Sequence, residues 1–189
     1  MLAETVVRQA APTLAGIKTG SLFPYRHTGR GQLVEDIRTL NGTLVPRGMC
    51  LLLLRATEDF ALLYLYRPKH LAEDLKDRDC QAVLCERGYP CENCAGCVRR
   101  LADRFRTGED FPHEVGLFLS YPPEDVRGFL RDRDHYKAVG LWKVYSDVDR
   151  AKKLCERYRK CTECYCRLWQ CGVCLETLAV GGQAAPVCR

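Results

Sequence analysis

The spacing of apolar residues predicts both helices and strands in the first third of the chain. Between Gln32 and Leu40 apolar side chains recur three, four and seven positions apart, which is typical of an amphipathic helix, and Asn41-Gly42 is expected to end it. The apolar runs Met49 to Arg55 and Phe60 to Tyr66 flank a polar tetrapeptide and predict a β-hairpin. Before them, residues 2–15 predict a short helix ended near Pro12, and the glycine-rich residues 16–31 predict a loop.

The second half alternates apolar runs with amphipathic segments. Pro123 suits the first position of a helix, and a long helical pattern over residues 148–170 ends near Gly172. This alternation favours right-handed crossovers and parallel pairing. The remaining predictions are helices beginning at Pro68, over Asp79 to Arg87 and over residues 91–106, and strands over Val115 to Ser120 and Ala138 to Tyr145.

These elements predict an α/β fold with an α+β tendency. We expect one domain over residues 1–180, built on a mixed sheet of about four to five strands with helices packed on it, and a flexible tail over residues 181–189. No apolar run has the length of a secretory signal or a membrane helix, so a cytoplasmic protein without membrane contact is expected.

Composition adds one unusual feature, which is a total of 13 cysteines. Thiols stay reduced in the cytosol, so these residues are expected to be free thiols, metal ligands or redox-active groups. The net charge of +5 is only mildly basic. The basic residues between Arg150 and Arg167 alternate with glutamates and indicate a solvated helix face. The pI of 8.6 lies below the range typical of nucleic-acid-binding domains, which disfavours that partner.

The sharpest local motif is Cys91-Glu-Asn-Cys94-Ala-Gly-Cys97. Two-residue spacers allow three thiolates to converge on one iron–sulfur cluster or zinc ion, with a remote fourth ligand for which Cys161 and Cys166 are the candidates. A dithiol redox pair and passive thiols are the alternatives. The later cysteines from Cys155 to Cys174 predict mainly a cysteine-rich core face.

A second candidate site follows from the predicted strand ends near Tyr121 and Ser146. Ligands of open α/β sheets bind at such ends, and nearby cations and helix N-termini suit a small anion such as phosphate. His113 and Glu114 are a candidate acid–base pair, although Leu117 replaces the second histidine of a zincin motif. The candidate ligand-binding residues are Lys18, Arg26, His113, Glu114, Tyr121, Lys143 and Ser146.

Six segments resemble an uncharacterised domain-of-unknown-function family of anaerobic, Clostridia-type bacteria. They are APTLAGIKTG (11–20), LFPYR (22–26), YRP (66–68), FPHEVGLFLSYPPEDVRGF (111–129), WKVYSD (142–147) and YRKCTECYC (158–166). The resemblance covers nearly the whole chain and implies a group without an assigned activity.

Three hypotheses therefore stand. The first is a cysteine-rich protein that binds a metal ion or iron–sulfur cluster in anaerobic redox metabolism, with a redox partner protein. The second is a small-ligand domain or enzyme that binds an anion at the strand ends, its cysteines being core packing. The third is a protein or nucleic-acid interaction module that uses the basic C-terminal helix. No reaction and no catalytic residue follow from the sequence.

Overall fold

The computed structural model describes residues 1–90, 93–108 and 110–181, and it divides into two compact units. The first unit comprises Met1–Lys69 and the chain from Tyr158 onward, and the second comprises His70–Arg157. One domain over residues 1–180 stays a prediction. The expected flexible tail lies, after Gly181, outside the described residues.

The first unit is built on a three-stranded antiparallel sheet in the order β1-β3-β2. Its strands are β1 (Gly20–Arg26), β2 (Cys50–Ala56) and β3 (Phe60–Tyr66). The predicted hairpin of β2 and β3 is confirmed. The predicted loop over residues 16–31 is wrong for β1, which pairs along its whole length with β3 and places Pro24 opposite Leu62. Proline is compatible with an edge strand, where one side of the backbone needs no partner.

Two helices accompany this sheet. Helix α1 (Leu2–Leu14) continues through Pro12 instead of ending there, and it is kinked at Ala10, whose φ of −131° is not helical. Helix α2 (Arg30–Leu44) passes through Asn41-Gly42, which was expected to end it. The Asn41 amide instead bonds the backbone N–H and carbonyl of Leu51, both at 2.9 Å, and so ties α2 to β2. The helices and the sheet share an apolar core that includes Val6, Leu14, Phe23, Leu33, Leu44, Met49, Leu63 and Leu65.

The second unit is mainly helical. Five helices precede its hairpin: α3 (Pro68–Asp74), which begins in the first unit, α4 (Arg78–Glu86), α5 (Cys94–Thr107), α6 (Val115–Phe118) and α7 (Pro123–Arg131). The strand predicted over Val115 to Ser120 is wrong, because these residues form α6 and then turn at Ser120, whose φ is 61°. A short, wholly buried apolar run fits either state, so its periodicity could not distinguish them. The start of α7 at Pro123 is confirmed.

A small hairpin, a long helix and a short last helix complete the described chain. The single strand predicted over Ala138 to Tyr145 is wrong, because these residues form an antiparallel hairpin of β4 (Ala138–Val139) and β5 (Lys143–Val144). The hairpin packs on the start of α8 (Val148–Gln170) through Trp142, Val144 and Ala151. Asp147 caps α8, because its carboxylate accepts the Arg150 N–H at 2.9 Å. A short helix, α9 (Leu175–Leu178), follows.

The predicted combination of helices with a sheet is therefore confirmed, as a mixed α+β fold. The pairing is different from the prediction, since every strand pair of the described residues is antiparallel. Within the described ranges, no helix combines the length and the apolar character needed to cross a membrane.

Candidate functional site

The predicted ligand-binding residues fall in both units. Lys18 and Arg26 belong to the first unit, and the other five belong to the second. The predicted strand end at Tyr121 does not exist, because α6 replaces the strand, so the reasoning that placed a crevice there is wrong. The role of these residues in ligand binding stays a prediction. For each of the five in the second unit, the structure shows which side chains and backbone groups it contacts.

Glu114 is buried in an ion pair and is not placed as an exposed acid–base group. One carboxylate oxygen accepts the Tyr89 hydroxyl at 2.7 Å and lies 3.0 Å from the Arg104 guanidinium. Glu114 is 1% exposed. Burial and the hydrogen bond to Glu114 raise the pKa of Tyr89, so its hydroxyl stays a donor. The geometry assigns Glu114 to holding α5 and the Tyr89 segment together.

Ser146 hydrogen-bonds to a buried carboxylate, that of Asp125, which the sequence did not indicate as part of a site. Asp125 accepts four hydrogen bonds, from the Trp142 indole at 2.7 Å and from the Tyr145 N–H, the Ser146 N–H and the Ser146 hydroxyl at 2.8 Å each. Burial alone would raise the pKa of Asp125, but these bonds outweigh it and lower the pKa. Asp125 thereby joins the start of α7 to the end of the hairpin.

Tyr121 supports the same hairpin. Its ring stacks on Trp142 with 4.7 Å between centroids, and its hydroxyl donates to the Leu141 carbonyl at 3.4 Å. Burial, and then the Cys155 thiol, raise the pKa of Tyr121. Gly116 lies where a Cβ would come within 2.8 Å of Val126, so the small residue allows α6 and α7 to approach.

His113 and Lys143 do come together, around the ring of Phe129. The His113 ring lies 4.8 Å from that of Phe129, and the Lys143 ammonium lies 5.8 Å from the Phe129 centroid and 4.5 Å from that of Tyr136. The Arg133 guanidinium also lies over Phe129, at 5.6 Å. These residues are called the Phe129 cluster below, together with Phe111, whose ring is 5.2 Å from that of His113.

The side chains of this cluster carry positive charge. Arg133 and Lys143 have no carboxylate within ion-pair distance in the described part of the chain, and the Lys143 ammonium donates only to the Arg133 carbonyl, at 2.5 Å. Burial, and then the positive charge of Arg133, lower the pKa of His113. Phe111 and Tyr136 remain 49% and 40% exposed, so the cluster presents aromatic faces and cations together at the surface.

The first-unit candidates are separate. Arg26 is exposed at the end of β1, and the Lys18 ammonium lies 5.6 Å from the Tyr158 ring centroid. The residue that sequence reasoning missed here is Arg67, which is buried and donates to the carbonyls of Thr13, Leu14 and Val180 at 2.7–2.8 Å. The chain after α1 also passes close to this guanidinium, since a Cβ added at Gly16 would lie 3.6 Å from its central carbon.

The cysteine motif is only partly described, since Cys91 lies outside the described residues. Cys94 and Cys97 occupy the first turn of α5, which Asn93 caps by accepting the Gly96 N–H. The Cys97 thiol donates to the Pro90 carbonyl at 3.2 Å. Burial raises the pKa of both thiols, which favours neutral thiols over thiolates.

The remaining cysteines are dispersed. Cys161 and Cys166 lie in the first unit, where Cys161 packs against the core. The predicted cysteine-rich core face is wrong for Cys171 and Cys174, which are exposed because they lie in the turn after α8. Cys85 takes part in a disulfide, which departs from the expectation of fully reduced thiols. Among the described residues, no three histidine, cysteine or carboxylate side chains are placed to hold a metal ion.

Comparison with known proteins agrees with the resemblance to an uncharacterised domain-of-unknown-function family. No curated protein and no solved structure matches the chain. A family model described as "protein of unknown function (DUF3793)" matches residues 6–179, a range that includes all six motifs. The chain therefore belongs to the DUF3793 family of proteins of unknown function.

Proposed function

We propose that the second unit binds a small anionic ligand at the Phe129 cluster. The observation that carries the proposal is the pair of cations, Arg133 and Lys143, held over aromatic rings without a neutralising carboxylate in the described residues. A guanidinium and an ammonium together suit phosphate or carboxylate oxygens, since the first offers a planar fork of donors and the second a compact charge.

The aromatic rings narrow the ligand class. Phe111 and Tyr136 are half exposed, and a planar group bound beside them would gain stacking area while its anionic group meets the cations. His113 supplies a ring nitrogen near the same place, in the neutral form that its lowered pKa favours. A phosphorylated ligand with an aromatic group, of which a nucleotide is the simplest example, fits this combination best.

A ligand screen on paired variants tests the proposal. Nucleotides and phosphorylated metabolites should raise the thermal midpoint of the wild-type chain, and Arg133→Gln and Lys143→Gln should each weaken the affinity of the responding ligand about tenfold or more. Arg99→Gln removes the same charge from an exposed position of α5 and should leave affinity unchanged. Equal binding by all four proteins would contradict the assignment, as would a panel without any response.

A nuclear magnetic resonance titration of His113 gives an independent readout. An anion bound beside Arg133 would offset the positive charge that now lowers the pKa of His113, so saturation with the ligand should raise that pKa. An unchanged His113 titration in the saturated protein would place the ligand elsewhere.

A metal or iron–sulfur site on the Cys91-Cys94-Cys97 motif is the second candidate. One observation favours it: Cys94 and Cys97 are close enough for the charge of one to raise the pKa of the other, and a bound cation would relieve that repulsion. Protein purified without oxygen should then contain stoichiometric iron or zinc that Cys94→Ser and Cys97→Ser remove and Cys50→Ser retains. Metal-free wild-type protein would eliminate this candidate.

A further inference from the structure

The turn between α8 and α9 presents two cysteines in the sequence Cys171-Gly172-Val173-Cys174. These are the two exposed members of the described free thiols, since the others are buried or half-buried. Exposure matters because a thiol must be reached by its reaction partner. This pair lies in the first unit, outside both the Phe129 cluster and the Cys91-Cys94-Cys97 motif.

The backbone holds the pair on a defined turn. Gly172 has a φ of 84°, its N–H donates to the Trp169 carbonyl at 3.0 Å, and the Val173 N–H donates to the Leu168 carbonyl at 3.1 Å. This is the Schellman pattern of a helix end. Val173 packs against the core of the first unit. Cys171 and Cys174 therefore flank the two-residue turn Gly172-Val173, whose conformation is held by these backbone hydrogen bonds and by the packing of Val173.

The two thiols have different surroundings. Cys174 lies 3.3 Å from the Thr177 hydroxyl and also hydrogen-bonds to the Glu176 carboxylate. The backbone N–H of Glu176 and then the Cys174 thiol lower the pKa of that carboxylate, so it stays ionised as an acceptor of these hydrogen bonds. The Arg47 side chain donates to the Glu176 carbonyl at 2.9 Å and fixes this residue in place. Cys171 makes no side-chain hydrogen bond to the described residues.

We propose that Cys171 and Cys174 form a dithiol site that reduces disulfides by thiol–disulfide exchange. Cys171 loses its proton to the solvent, and its thiolate attacks one sulfur of the substrate disulfide, forms a mixed disulfide and releases the first substrate thiolate. Cys174 then gives its proton to that thiolate and attacks the Cys171 sulfur, which releases the second substrate thiolate, and this thiolate takes up a proton from the solvent. The two cysteines lose two electrons and become a disulfide, and the substrate disulfide gains them and becomes two thiols.

Reaction with one equivalent of the disulfide reagent 5,5′-dithiobis(2-nitrobenzoate) tests the proposal. A dithiol releases two thionitrobenzoate anions per reagent and keeps no label, whereas an isolated thiol releases one and keeps the other. The wild-type chain should approach two, and Cys171→Ser and Cys174→Ser should fall to one with a retained label. Cys50→Ser, which removes a half-buried thiol of the same unit, should behave like wild type.

Peptide mass spectrometry of the oxidised protein should then find Cys171 joined to Cys174, with the loss of two hydrogen masses. Insulin as a second substrate distinguishes the source of the disulfide, because its reduction would indicate protein disulfides and its persistence small-molecule disulfides. A wild-type ratio of one, or a ratio of two that survives in Cys171→Ser, would overturn the proposal.

Discussion

In the first unit the buried charge is a cation, Arg67, whereas in the second unit the buried charges are two carboxylates, Glu114 and Asp125. Arg67 is bonded to three neutral carbonyls and lies beside a large apolar core. Asp125 is bonded to four donors, beside the small apolar cluster of the hairpin. The second unit also buries apolar side chains from α4 to α7, among them Leu84, Leu101 and Phe118. The two units therefore differ in the sign of their buried charges and in whether neutral carbonyls or hydrogen-bond donors and a guanidinium surround them.

The largest expected effect is that of Asp125→Ala. The substitution leaves the donors of Trp142, Tyr145 and Ser146 without their buried acceptor, and we expect a loss of about 3 kcal/mol or more in the free energy of unfolding. Amide exchange should accelerate around α7 and the β4–β5 hairpin while β2 and β3 stay protected. The control Glu124→Ala removes an exposed acid from the same helix turn and should cost about 0.5 kcal/mol.

Arg67→Met should have the next largest effect, about 2–3 kcal/mol, because three carbonyls lose a charged donor while the apolar stem is kept. Denaturant unfolding measures the loss, and exchange should accelerate at the end of α1. A loss as small as that of Arg26→Met, an exposed arginine of the same unit, would mean that the carbonyls find other donors and that the contrast between the units is overstated.

Gly128→Ala should cost about 1–3 kcal/mol, since the added Cβ would overlap the ring of Tyr145 beside the Asp125 network. Gly42→Ala is the matched change in α2, where nothing lies within contact distance. It should stabilise the chain by about 0.5–1 kcal/mol, because alanine restricts the unfolded chain more than glycine does. Thermal unfolding should show a lower midpoint than wild type for Gly128→Ala and a higher one for Gly42→Ala.

The smallest expected effect is a pH dependence in the second unit. The pKa of Asp125 is lower in the folded chain than its ordinary value of about 3.9, so its contribution is complete above that value. The contribution is lost as the pH falls toward the folded-state pKa, by at most about 1.4 kcal/mol per pH unit. The stability difference between wild type and Asp125→Asn should therefore narrow in acid. If this stability difference stayed constant with pH, the contribution of Asp125 would come from its hydrogen bonds alone and not from its charge.

Elements with strong local signals were predictable from the sequence. The polar turn between β2 and β3, the proline at the start of α7 and the glycine after α8 each mark a boundary through local backbone chemistry. Strand β1 was missed because its glycine and proline argue for a loop, and its pairing with β3 depends on residues 40 positions away. Four-residue α6 was missed because apolar content alone does not distinguish a buried helix from a strand.

The candidate site was predictable only in part. His113 and Lys143 were among the residues predicted to bind a ligand, but that they meet at Phe129 depends on the fold of three separate segments. Asp125 and Arg67 were missed because burial of a charge depends on donors and carbonyls that are distant in sequence. The positions of such groups follow from the fold and not from local pattern.

Pro24 has a consequence for the protein at high concentration. An edge strand exposes unpaired N–H and C=O groups to which a strand of another chain can add. Because proline has no N–H, the outer edge of β1 lacks one donor in the middle of the strand, where Pro24 is exposed. Pro24, which makes β1 difficult to predict from the sequence, thus disfavours edge-to-edge aggregation of the protein during synthesis and storage.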